Sequence, residues 1–413
     1  MGKETITIKG GRVLDPVTET YTEKDLCIKT DGASRTIDAT GCIVTAGLVD
    51  PHVHFRDPGQ TQKEDIFTGA AAAARGGYTS VIMMGNTDPH PDNPETLRYM
   101  IEKGKRTPLH VYASANVTIG MQGSRLTDME TLAAEGAVLF TDDGLPITDE
   151  EVMRSACKKA ASLNKMISLH EEAPDFVRQP GVHAGSVAKE MGLEGASEEA
   201  EITMVARGIA IARETGCSVT VQHISAAASV ALIREAKKTY PHIHAEATPH
   251  HFSLTQEAVR IHGALAKMNP PLRTEEDRLA IIEGLKDGTI DMIATDHAPH
   301  TKEEKEREFV KAPSGIIGLE TALSLGIKYL VQPGHLTLAR LIRLMTYLPA
   351  VITGIPAGTL DGEIRDVVVF DPEATWVAGH YRSKASNSPF TGMTLPGVVK
   401  MTICKGNVVY EAG

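Results

Sequence analysis

A chain of 413 residues with 42% hydrophobic and 23% charged residues can bury a large core and form one or two domains. A formal net charge of −11 offers no general attraction to nucleic acid or an anionic membrane, and no apolar run is long enough to span a bilayer. Five cysteines without a CxxC pair, and an opening MGKETITIKGG without an apolar leader core, predict free thiols in a cytoplasmic setting.

In chain order, TITIKGGRVLD, DLCIKT and RTIDATGCIV read as short strands broken by Gly and Asp. Short apolar runs then alternate with helix-like stretches. The runs are CIVTAGLVD, TSVIMMG, LHVYASA, AVLFTDD, MISLHEE, SVTVQHIS, HIHAEATPHH and DMIATDHAPH. Helices are predicted over residues 149–163, 198–214, 226–238 and 275–286. Eight such runs suggest parallel βαβ units, and eight is the number that closes a (β/α)8 TIM barrel. The chain returns to strands in RDVVVFDP, VVKMTICKG and NVVYEAG. Neither end has enough strands for stability alone. Both termini are therefore expected to build one small β-sandwich domain, residues 1–46 with 357–413, beside an α/β barrel domain over residues 47–356.

Polar residues recur where the runs end. The first ends in His52, His54 and Arg56, the second in Asn86, and the fourth in Asp142 and Asp143. The fifth ends in His170, the sixth in His223, and the eighth in Asp296, His297 and His300. Residues two apart on a strand share a face, so His52 and His54 are expected to point into one barrel mouth. Imidazoles and carboxylates are ligands for zinc and similar metals. His52, His54, His170 and His223, with Asp143 and Asp296, suffice for two metals if one group bridges. A metal there lowers the pKa of bound water and polarises a carbonyl, and Asp296 can also act as the base. The set predicts metal-assisted hydrolysis of a C–N or similar bond. Taken singly, each piece has a plainer explanation. TDDG is a turn or cap, TPHH at residues 248–251 a structural corner, and KEEKERE within residues 301–314 a solvated helix face. Recurrence at successive strand ends favours the metal site.

GLVDPHVHFRDPG resembles the first-strand signature of the amidohydrolase superfamily. Together with GGYTSVIMMGNTDP, LFTDDG, SLHEE, VQHIS, ATPHHF, MNPPLR, ATDHAPH, GIIGLET and KASNSPFTGMTLPG, it resembles the longer bacterial dihydroorotases over nearly the whole chain. That resemblance implies reversible interconversion of N-carbamoyl-L-aspartate and L-dihydroorotate in pyrimidine biosynthesis, with one or two Zn2+ per subunit. It implies His52, His54 and Asp296 as ligands of one metal, His170 and His223 as ligands of a second, and Asp143 as the bridge. Asp296 is implied as the catalytic proton carrier. Arg56, Asn86, Asn269 and His300 are implied to hold the substrate, with Arg56 and Asn86 on its carboxylate, for which a planar guanidinium is suited. The implied company is a small-molecule substrate, no nucleic acid, no membrane, a second copy of the chain in a homodimer, and association with aspartate transcarbamoylase.

Three features depart from the family pattern. Gly85 stands where MPNT would place Pro, Ser314 stands where APFG would place Phe, and the N-terminal β unit is short. The rival hydantoinases, dihydropyrimidinases and allantoinases bridge their metals with a carboxylated lysine at the end of the fourth strand, where this chain has AVLFTDDG. A non-catalytic dihydroorotase-like subunit is expected to have lost ligand histidines, and this chain keeps them.

Overall fold

The run CIVTAGLVD divides at Gly47. Before it, strand Ile43–Ala46 pairs with Arg12–Asp15 on one side and Val367–Val377 on the other. After it, strand Leu48–Val53 pairs in parallel with Tyr78–Met83. A Cβ on Gly47 would overlap the Thr79 side chain, so this crossing between sheets requires glycine. The computed structural model describes residues 4–413.

The sheet before the division has six strands in the order Asn407–Glu411, Thr394–Cys404, Val367–Val377, Ile43–Ala46, Arg12–Asp15 and Thr20–Glu23. The two ends of the chain therefore lie side by side in one sheet. A three-stranded sheet of Leu26–Lys29, Thr5–Lys9 and Arg35–Asp38 accompanies it. In Thr5–Lys9 the buried residues are Ile6 and Ile8, the period-two pattern of a strand with one face on a core. They join Val13, Ile28, Val44, Val367, Val369 and Ile403 in one apolar cluster, so residues from both termini share a core.

The middle of the chain has α/β order. Leu48–Val53, Tyr78–Met83 and His110–Ala113 form one parallel sheet. Ile167–Leu169, Val219–Val221, Ile243–Ala247 and Met292–Ile293 form another. Parallel bridges Ala115–Phe140 and Phe140–Ile167 link the sheets along one edge, and Val53–His297 links the other. Leu48–Val53 and Tyr78–Met83 are buried throughout, as expected for parallel strands covered by helices.

The helices Glu150–Ser162, Glu199–Thr215, Ala227–Lys237 and Glu275–Asp287 lie close to their predicted ranges. Asp149 caps the first through the N–H groups of Glu151 and Val152, and Thr274 with Asp277 forms a capping box on the last. The fourth apolar run departs from expectation. It forms bridges at Phe140 rather than a longer ladder, although Val138 and Thr141 donate to Ala113 O and Ala115 O on one side and Phe140 donates to Met166 O on the other, and just beyond it Asp142 accepts the backbone N–H groups of Val117 and Thr118. Among the described residues, no helix is long and apolar enough to cross a membrane.

Candidate active site

Leu48–Val53 delivers His52 at its end and His54 just beyond, both buried. Asp50 fixes this end from below by accepting the backbone N–H groups of His52, at 3.1 Å, and Thr295, at 3.2 Å. Three candidate residues have left-handed backbones: Arg56 (φ +57°), His223 (φ +29°) and Asp296 (φ +47°). Each such conformation costs a non-glycine residue about 1–3 kcal/mol, and strain of this kind concentrates at functional sites.

Asp143 lies among four imidazoles. Its Oδ1 is 3.5 Å from His52 Nε2, 3.6 Å from His170 Nδ1 and 4.0 Å from His223 Nε2, and its Oδ2 is 3.4 Å from His54 Nε2. Asp296 Oδ1 lies 3.0 Å from His54 Nε2 and 3.5 Å from His52 Nε2. His170 Nδ1 and His223 Nε2 are 3.1 Å apart. Two subsets, His52–His54–Asp296 and His52–Asp143–His223, each bring their ligand atoms within 4.8 Å of one another. His52 Nε2 is buried between carboxylates without a hydrogen-bond partner. Burial opposes charge on Asp143, but His52, His170 and His54 outweigh it and hold the carboxyl well below its usual range. Burial, followed by the charges of His170 and His52, pushes the His223 imidazole well down toward the neutral form that ligates metals.

The candidate substrate residues surround this cluster. Arg56 is buried; its Nε donates to Pro299 O at 3.2 Å and its Nη2 lies 3.3 Å from His300 Nε2. His300 Nε2 is also 2.8 Å from Ser314 O. Asn86 Oδ1 is 2.8 Å from His54 Nδ1, and its Nδ2 donates to Asp143 Oδ2 at 3.4 Å. Asn269 donates to Glu172 Oε2 and accepts from Ser314 Oγ, each at 3.3 Å. Ser314 thus hydrogen-bonds a candidate substrate residue directly. The other departure, Gly85, has a packing reason: a Cβ would lie 2.8 Å from Asn116 Nδ2 and 3.1 Å from Pro91 Cγ.

Neighbouring polar residues face elsewhere. Asp142 accepts from Val117 N at 2.8 Å and from the Thr118 hydroxyl, away from the histidines. His297 Nε2 is 3.4 Å from Glu64. His251 is held by Thr248 Oγ1 at 2.7 Å and Pro270 O at 3.0 Å, as a structural corner would be. The KEEKERE run needs correction as a purely solvated face. Lys305 is buried and donates to Pro313 O at 2.9 Å and Gly315 O at 3.0 Å, because the following loop folds back over it.

Sequence reasoning missed Glu246, whose Oε1 lies 2.6 Å from His52 Nδ1. The available signal was one acid within the otherwise β-compatible run HIHAEA, at a position that is 1% exposed.

A family model described as Dihydro-orotase-like matches residues 41–229. The chain is 51% identical to the dihydroorotase of Clostridioides difficile, over 98% of this chain and 100% of that protein. It is 48% identical to the dihydroorotase of Clostridium acetobutylicum, over 98% and 99%. The chain belongs to the dihydroorotase family. This dihydroorotase-family chain also matches solved hydantoinases. The L-hydantoinase (dihydropyrimidinase) of Arthrobacter aurescens is 25% identical, with a TM-score of 0.88 over 100% of this chain and 97% of that one. The dihydropyrimidinase of Brevibacillus agri is 22% identical, with a TM-score of 0.85 over 98% and 95%, a likeness of fold.

Proposed function

We propose that the chain is a metal-dependent dihydroorotase that interconverts N-carbamoyl-L-aspartate and L-dihydroorotate. The observation carrying this reading is the convergence of His52, His54, His170 and His223 on Asp143, with Arg56 buried alongside. The donor set suits zinc: imidazoles, carboxylates and an orphaned buried nitrogen at His52 Nε2. His52, His54 and Asp296 would hold one ion, His170 and His223 a second, and Asp143 would stand between them. A zinc ion bound there supplies Lewis acidity, activating water and polarising the ring amide carbonyl.

The chain's own groups do the rest. In ring opening, Asp296 takes the proton of the attacking water and delivers it to the departing ring nitrogen. In ring closure, the same carboxylate takes the ureido proton and returns it to the leaving oxygen. Arg56 and Asn86 hold the substrate carboxylate, while Asn269 and His300 orient the remainder. Arg56 is already desolvated, which strengthens its pairing with an anion.

The scaffold reading is a closed (β/α)8 barrel over residues 47–356, with a small β-sandwich domain from residues 1–46 and 357–413. The bridges Val53–His297, Ala115–Phe140 and Phe140–Ile167 support closure, and the shared apolar cluster of the termini supports the second domain. Cytoplasmic residence accords with five free cysteines. A homodimer and association with aspartate transcarbamoylase rest on the family resemblance; light scattering of the purified chain, alone and with that enzyme, tests both.

Parallel assays with dihydroorotate, hydantoin and allantoin test the activity. Turnover confined to dihydroorotate is expected. Preference for hydantoin would favour the second reading, a hydantoinase-like specificity, which the structural match to the Arthrobacter enzyme keeps in view.

A further inference from the structure

We propose that Glu246 is a positioning residue that organises both halves of the His/Asp cluster for a divalent cation. The inference rests on the metal reading above. Glu246 lies on strand Ile243–Ala247 and is buried with its neighbours Ala245 and Ala247. One of its oxygens, Oε1, serves two partners: it is 2.6 Å from His52 Nδ1 and accepts the backbone N–H of His223 at 3.2 Å.

Each contact acts on a different proposed metal ligand. At 2.6 Å the Glu246 carboxylate is placed to accept a hydrogen bond from His52 Nδ1. The other ring nitrogen, Nε2, faces Asp143 and Asp296, where it has no hydrogen-bond partner. A hydrogen bond at Nδ1 orients the ring and leaves Nε2 as the nitrogen directed at the cluster. The second contact restrains the backbone of His223 in its left-handed conformation. The next residue, Ile224, donates its N–H to the backbone oxygen of Glu246 at 3.0 Å, so side chain and main chain of residue 246 both anchor this turn. A carboxylate buried in a β-strand is costly unless its partners require its charge. Here those partners are a cluster imidazole and the backbone of another cluster residue. Glu246 itself belongs to neither candidate ligand subset at the cluster.

Cobalt(II) titration of the full-length chain, followed by its visible absorption against a competing chelator, tests this role in wild type, Glu246→Gln and Glu246→Ala. Glu246→Ala is expected to weaken cobalt binding on the order of 10–100-fold, the usual loss when the hydrogen-bond partner of a metal ligand is removed. Glu246→Gln retains an accepting oxygen but lacks the charge, so a smaller but measurable weakening is expected. Circular-dichroism melts of the metal-free proteins separate folding from binding: a purely structural residue would change the melt and leave the cobalt affinity of the folded protein alone. If Glu246→Ala does not fold, Glu246→Gln decides. A folded Glu246→Gln with wild-type affinity would overturn the inference while leaving the metal reading intact. A wild-type chain that takes up no cobalt would overturn the metal reading itself.

Discussion

Adjacent carboxylates do different work here. Asp143 faces four imidazoles, whereas Asp142 holds the backbone of Val117 and Thr118. Asp143→Ala should therefore reduce bound metal and abolish turnover. Asp142→Ala should retain metal but lose about 1–3 kcal/mol of stability by leaving buried N–H groups unpaired. Metal analysis and denaturant melts of the two variants distinguish these roles; equal metal loss in both would remove the distinction. Arg56→Met should spare the metal and raise KM for dihydroorotate steeply, because losing a charged partner to a carboxylate costs roughly 2–5 kcal/mol. Unchanged steady-state kinetics would place Arg56 outside the substrate site. Strand periodicity made His52 and His54 legible as a pair, and the family resemblance singled out Asp143, with Asp142 the runner-up because only one of two adjacent strand residues can face the mouth. Glu246 was hidden because its partner, His52, lies far away in sequence.

Among the elements, legibility followed locality. Helices 150–162 and 275–287 lie close to their predicted ranges, and the structure caps them with the adjacent Asp149 and Thr274, so their starts are set by neighbouring residues. The fourth apolar run is paired on both sides at Phe140 but in a shorter ladder than expected, and the direction of the Asp142 side chain beyond it depends on a contact with residues 117–118. Lys305 similarly lies in a charged run, and only the return of the loop at Pro313 and Gly315 buries it. The segment around His183 yields a pH prediction. Burial, followed by the Arg273 guanidinium, pushes His183 down to about 4, and burial foremost does the same to His251. Below the ordinary histidine range near 6.5 the unfolded chain gains protons that these folded sites take up only near pH 4. The stabilising contribution of their depressed pKa values is therefore present above about pH 6.5 and lost as pH falls toward 4. His183→Gln should make the slope of Tm against pH less positive over that interval than in the wild type. An unchanged slope in the variant would contradict the assignment.

Across the whole molecule, the division at Gly47 separates two kinds of sheet within one apolar run. Composition showed strands at both termini, but the order that places Ile43–Ala46 beside Val367–Val377 depends on pairing across more than three hundred residues. The result brings residues from the ends of separate strands into one cluster, and the proposed activity depends on metal held there. The most direct test is dihydroorotate turnover by the purified chain before chelation, after chelation, and after zinc is restored, with metal quantified at each stage. Activity should disappear with the metal and return with one or two zinc ions per chain; undiminished turnover by fully stripped protein would contradict the metal-dependent mechanism.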